Sequence, residues 1–101
     1  KRADRETRQG QVGIYTHFTG KMAAMVEVLC ETDFVARGED FIKLSKDIAA
    51  HVAAMEPSST EELLEQDYVR DPSKKVKDLV NELIAKVGEN VKVGRISRFS
   101  I

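Results

Sequence analysis

The pattern of apolar and polar positions changes its period along the chain. Between residues 12 and 18, apolar side chains alternate with polar or small ones, which is typical of a half-buried β-strand. Thr19 and Gly20 supply a tight turn and residues 22–29 form a second apolar run, so the two segments predict a β-hairpin. Apolar side chains recur again at residues 91–100 and predict a third strand.

Two amphipathic helices are predicted between the second and the third strand. From Val35, apolar side chains recur at intervals of three and four residues, which places them on one stripe of a helix of about five turns. Asp33 is the candidate N-cap of this helix, and Pro57 lies just beyond its end. A second stripe between residues 76 and 87 predicts another helix, which ends at Gly88. The two stripes consist of Phe41, Leu44, Ile48, Val52 and Met55, and of Val76, Leu79, Val80, Leu83, Ile84 and Val87.

The connector between the two helices carries weaker signals. Ser59 and Glu62 have the spacing of a capping box, which predicts a short helical turn. Asp71 is a candidate N-cap for the second long helix with Pro72 in its first turn, and Ser73 is the alternative cap.

This order of elements predicts an α+β fold, with a three-stranded antiparallel sheet and two main helices on one of its faces. The second strand is apolar on both faces, with Met22, Ala24, Val26 and Val28 on one and Ala23, Met25 and Leu29 on the other. Two helices cover only one face of a small sheet, so the other face needs a second layer. We expect a partner to supply it, most simply a second copy packed sheet against sheet.

Length and composition indicate one globular domain. The chain has 101 residues, of which 42% are hydrophobic and 33% charged. Residues 1–10 are almost entirely polar and are interpreted as a linker tail, which leaves 11–101 as the core domain. The net charge of −1 argues against a polyanion-binding chain, so we expect no nucleic-acid partner. The single Cys30 fits a reducing compartment, no apolar run reaches membrane-spanning length, and a cytoplasmic location is expected.

The residues that usually carry catalysis are few and scattered. His17 and His51 are the only histidines, and with Cys30 they are too few and too far apart in sequence for a metal site. Cys30 follows an apolar strand, which favours a structural, buried thiol over a nucleophile. We therefore expect no enzymatic activity, no metal and no cofactor.

The segment Val26–Arg37 is the most informative stretch of the chain. An apolar strand ends there, and the chain turns through Thr32, Asp33 and Phe34 toward a helix. From the residues alone, two interpretations stay open. Phe34 is either a core residue beneath the start of the helix or an aromatic side chain offered to another protein, and Asp33 is a helix cap, a binding residue or both.

Several segments together carry a family signature. They are 13–21, 26–37, 47–54, 64–66, 76–79, 88–90 and 95–99. Over residues 11–55 and 63–101, the chain resembles the core domain of the elongation factor Ts family, and the Thr-Asp-Phe-Val run of 32–35 is the most specific match. Residues 1–10 resemble the end of the linker that follows the N-terminal helical module of this family.

The resemblance implies a guanine-nucleotide exchange factor for the GTPase elongation factor Tu. In the family, the turn inserts beside the nucleotide site and disturbs the magnesium ion and the phosphate-binding loop. Carried over, Thr32, Asp33, Phe34 and Val35 are the partner-binding residues, with Phe34 as the anchor and Asp33 fixing the turn. The family's short form is also expected to form a homodimer through its sheets, while the resemblance assigns no firm role to His17.

Two other functions remain as alternatives. The chain could be a homodimerisation scaffold whose turn is only structural. It could also be a small RNA-binding module, because several basic side chains lie in its C-terminal third. These side chains are Lys74, Lys75, Lys77, Lys86, Lys92, Arg95 and Arg98.

Overall fold

The computed structural model describes residues 6–101, which form nine helices and strands. The strands are β1 (Gln9–Thr16), β2 (Met22–Cys30), β3 (Asp67–Tyr68), β4 (Asp71–Lys75) and β5 (Val91–Ser100). The helices are α1 (Asp33–Ala36), α2 (Glu39–Met55), α3 (Thr60–Glu65) and α4 (Val76–Val87). β1 begins inside the segment predicted as a linker tail, and residues 1–5 of that segment lie outside the described residues.

The main sheet has three antiparallel strands in the order β1-β2-β5, which confirms the predicted α+β fold. The central strand β2 contributes Val26 and Val28 to a core that also contains Phe41 and Ile48 of α2. The second long helix, α4, adds Val80 to the same core. The sheet therefore has one face covered by helices.

β1 and α2 approach each other closely at Gly13. A Cβ atom at this position would lie 2.1 Å from the carbonyl oxygen of Ser45 in α2. Because no real Cβ tolerates that distance, a side chain here would push the strand and the helix apart. The lack of a side chain is what allows the helix to lie directly on the first strand.

The opposite face of the sheet is open. Met25 is 46% exposed and pairs with Ile14 of β1, while its β2 neighbours Ala24 and Val26 point into the core. The prediction that β2 is apolar on both faces is confirmed. The large apolar side chains exposed on this face, which we call the open face, are Val12, Ile14, Met25 and Phe99.

One ion pair interrupts the open face. The Glu27 carboxylate accepts two hydrogen bonds from Arg95, one from Nη2 at 2.6 Å and one from the backbone N–H of Arg95 at 2.8 Å. These hydrogen bonds lower the pKa of Glu27 to about 2. The pair sits where the register of β2 and β5 shifts between Val26 and Val28, so it fills a local irregularity of the sheet.

Part of the connector was predicted wrongly. Residues 71–75 form β4, which pairs with β3 in a separate two-stranded sheet. Asp71 therefore does not cap α4: its carboxylate accepts from the N–H and the hydroxyl of Ser73 within the strand. Helix α4 begins at Val76, and the carboxylate of Asp78 accepts from the Lys75 N–H at 2.8 Å.

Other predictions about the helix ends are confirmed. Ser59 caps α3, because its hydroxyl accepts from the Glu62 N–H at 3.0 Å. The Glu62 carboxylate, however, binds Ser58, so the reciprocal bond of a capping box is displaced by one residue. Gly88 ends α4 with a φ of 76°, in the left-handed region that favours glycine.

The first hairpin is also confirmed, with one difference. Residues 18–21 form its turn, and Gly20 has a φ of 74°. Phe18, predicted as the last strand position, lies in this turn and is 92% exposed.

His51 of α2 is fully buried and has a hydrogen bond on each ring nitrogen. Nδ1 accepts from the backbone N–H of Val69 at 3.1 Å, so Nε2 carries the proton and donates to Oε1 of Gln66 at 2.9 Å. Burial lowers the pKa of His51. The neutral ring thus ties α2 to the β3–β4 turn, and a second proton would break the bond from Val69.

We expect acid to destabilise the fold through His51. The unfolded chain binds a proton on this residue at a higher pH than the folded chain, so the free energy of unfolding falls as the pH drops below the ordinary histidine pKa of about 6.5. Urea unfolding at several pH values measures this slope. His51→Gln should flatten it and the control His17→Gln should keep it, whereas the same slope in both variants would contradict the assignment.

Candidate functional site

The turn after β2 forms a helix of its own. Thr32 is the N-cap of α1, and its hydroxyl accepts from the Val35 N–H at 3.3 Å. The predicted N-cap Asp33 is wrong, because this residue already lies in the first turn of α1. α1 ends at Ala36 and α2 starts afresh with Gly38 as its N-cap, so the single helix predicted from Val35 is divided in two.

Asp33 forms an ion pair with Arg37. Oδ2 of Asp33 lies 2.8 Å from Nε of Arg37, and both side chains are largely exposed. A surface pair with this spacing on a helix contributes little to stability. The Asp33 carboxylate and the Arg37 guanidinium therefore remain accessible on the outside of the turn.

Phe34 points away from the core. It is 82% exposed, which excludes the interpretation that it packs beneath the start of the helix. Its neighbours hold the turn instead: Ala36 is fully buried and Val35 packs against the core. The side-chain amide of Gln11 in β1 donates to the carbonyl of Ala36 at 2.8 Å, which fixes the end of α1 to the sheet.

The start of α1 is held by Glu89, which lies between α4 and β5. Its Oε1 accepts from the N–H groups of Glu31 at 3.2 Å and of Thr32 at 3.1 Å. Its Oε2 accepts from the Thr32 hydroxyl at 2.7 Å. Glu31 in turn accepts from the N–H of Asn90 at 2.5 Å. Glu89 and Gln11 were not identified from the sequence, and only the inclusion of residues 88–90 in the family signature pointed to this segment.

A shallow groove of about 580 Å³ lies beside Phe34. The half-buried Val35 and Val87 contribute apolar surface to it, and the charged residues Arg37, Glu39 and Asp40 also line it. The exposed ring and this groove together form one continuous surface that suits contact with another protein.

Cys30 is buried at the end of β2. Its thiol donates to the carbonyl of Thr32 at 3.2 Å. Burial raises the pKa of this thiol, and the negative charge of Glu89 raises it further. The protonated thiol is therefore another support for the turn. In residues 6–101, no group of three or more His, Cys, Asp or Glu side chains is arranged to hold a metal ion.

These features describe an α+β domain that presents an exposed aromatic side chain on a hydrogen-bonded turn. Residues 31–101 match the family model described as Elongation factor TS. The chain belongs to the elongation factor Ts family, and it is a translation elongation factor. None of the helices in residues 6–101 combines the length and apolar character needed to cross a membrane.

Individual relatives cover the whole chain. It is 36% identical to elongation factor Ts of Oleidesulfovibrio alaskensis, over 100% of this chain and 74% of that protein. It is 38% identical to elongation factor Ts of Herpetosiphon aurantiacus and aligns with 74% of that protein. It is 35% identical to elongation factor Ts of Thermotoga maritima and aligns with 72% of that protein. The alignment with the first spans 146 positions, so that relative carries residues with no counterpart among the 101 here.

Proposed function

We propose that this chain promotes the release of GDP from elongation factor Tu by inserting the turn of Thr32, Asp33, Phe34 and Val35 beside the nucleotide and magnesium site. The observation that carries the proposal is the exposure of Phe34 on a turn fixed at both ends. An aromatic ring held outside its own core is suited to enter a pocket in a partner. Membership of the elongation factor Ts family supports the choice of partner.

The proposed activity needs no catalytic residue. A protein that binds the nucleotide-free GTPase more tightly than the GDP-bound form must weaken GDP binding by the same ratio. Each 1.4 kcal/mol of differential contact is worth about a tenfold change in that ratio. In this proposal the chain is an exchange factor that acts in the cytoplasm by contact alone.

Release of a fluorescent GDP analogue from purified elongation factor Tu tests the proposal. The rate should rise with the concentration of this chain and then saturate, because release occurs within a complex. The same titration with an unrelated GTPase is the control. A release rate that does not change with added chain would overturn the proposal.

We further propose that the open face packs against the same face of a second copy. Val12, Ile14, Met25 and Phe99 form an exposed apolar surface on a sheet whose other side is covered by its own helices. A two-fold axis through such a face brings each apolar patch onto its copy. Sedimentation at increasing concentration should show a monomer converting to a dimer. This assembly is compatible with exchange activity, and without that activity the chain would be a dimerisation scaffold.

The structure gives the RNA-binding alternative no specific support. Most of the basic side chains of the C-terminal third are neutralised by carboxylates. The ion pairs are Lys74–Glu82, Lys75–Asp67, Lys77–Glu65, Lys86–Asp40, Arg95–Glu27 and Arg98–Glu56. The neighbouring carboxylates reduce the positive potential that attracts a phosphate backbone, so we do not propose this function.

A further inference from the structure

The Thr32 hydroxyl has one proton, which it donates in a hydrogen bond to Glu89. It donates to Oε2 of Glu89 at 2.7 Å and accepts from the Val35 N–H at 3.3 Å. The hydroxyl oxygen has two lone pairs, so it accepts from the Val35 N–H while its proton goes to the carboxylate, which is purely an acceptor. Glu89 therefore holds in place the side chain that caps α1.

The same carboxylate also fixes the backbone before α1. Its Oε1 receives the N–H groups of Glu31 and Thr32, 58 and 57 residues away in sequence. Hydrogen bonds to a charged group are stronger than neutral ones, and this carboxylate accepts three. One half-buried side chain thus connects the segment before β5 to the entry of the turn that carries Phe34.

We propose that Glu89 is a positioning residue that holds Phe34 in one orientation before the partner arrives. The inference rests on the proposed exchange function. α1 has only 4 residues, too few to be stable alone, so its order must come from outside the helix. If only a fraction of the population holds the turn correctly, the apparent affinity is reduced to that fraction of its intrinsic value, while the bound complex is unchanged.

Glu89→Gln tests this role with almost no change of shape. A glutamine has one acceptor oxygen, so its NH₂ must face either the Thr32 hydroxyl or the two backbone N–H groups. In the GDP-release assay, the concentration for half-maximal stimulation should rise about tenfold, the loss expected for a hydrogen bond to a charged group. The maximal rate should stay unchanged, because Phe34 is still present.

Amide hydrogen exchange measured by NMR supplies a second readout. The Val35 N–H should exchange faster in Glu89→Gln, while amides in the centre of α2 and β2 keep their protection. A residue that merely stabilised the fold would accelerate all of them. Glu82→Gln is the matched control: Glu82 of α4 is paired with Lys74 of β4, and this variant should leave both readouts at the wild-type values.

The possible failures are distinguishable. Wild-type half-saturation together with wild-type exchange at Val35 in Glu89→Gln would overturn the positioning role. If the wild-type chain does not stimulate release at all, the proposed function fails instead. In that case the hydrogen-exchange rate of the Val35 N–H still shows whether Glu89 holds the turn. Glu89→Gln is nearly isosteric with the wild type, so we expect this variant to fold.

Discussion

Phe34→Ala is expected to remove most of the stimulated release of GDP from elongation factor Tu. Truncating an aromatic anchor at the centre of an interface costs about 3 kcal/mol, which corresponds to roughly 100-fold in the stimulated rate. Unlike Glu89→Gln, this substitution should lower the maximal rate, because the group that enters the partner is gone. The titration of GDP release at saturating chain concentration measures the effect.

The fold should survive this substitution. Phe34 is 82% exposed, so its removal leaves no cavity, and the thermal unfolding midpoint should match the wild type. Phe18→Ala is the matched control, because Phe18 is 92% exposed but lies at the tip of the first hairpin. Full stimulation by Phe34→Ala would show that the turn is only structural, even if the wild-type chain is active.

Met25→Lys is expected to abolish the dimer. Met25 lies on the central strand of the open face, beside Ile14 on β1 and Ser97 on β5. In a two-fold interface the substitution buries two ammonium groups without partners, which should weaken the dimer by at least about 100-fold. Sedimentation should then show a monomer at concentrations where the wild type is dimeric.

Val69→Lys is the control for this experiment. Val69 is 41% exposed, close to the exposure of Met25, but it lies in the turn between β3 and β4. The new lysine should leave the dimer intact. A dimer of Met25→Lys as tight as the wild-type dimer would place the contact on another surface, and a wild-type chain that stays monomeric would contradict the sheet-to-sheet assembly.

Where a pattern is local, the sequence predicted the fold well. The alternation before Thr19 and Gly20 predicted the first hairpin, and the stripe before Gly88 predicted α4 and its end at this glycine. Both features depend on residues close together in the chain. The apolar character of β2 on both faces likewise predicted the open face.

The errors arose where short-range signals competed. Asp71 followed by Pro72 is as typical of a helix start as of the polar edge strand that actually forms. Asp33 was predicted as a cap, yet the neighbouring Thr32 takes this position, and its hydroxyl also donates to Glu89. This partner lies 57 residues away, which no local pattern indicates.

The division between α1 and α2 has a consequence for how this family tolerates change. The hydrogen bonds that hold the two ends of α1 come from Gln11 in β1 and from Glu89 just before β5. A change in the length of the segment between α2 and α4 therefore removes neither of these bonds, and the turn keeps its attachment to the sheet.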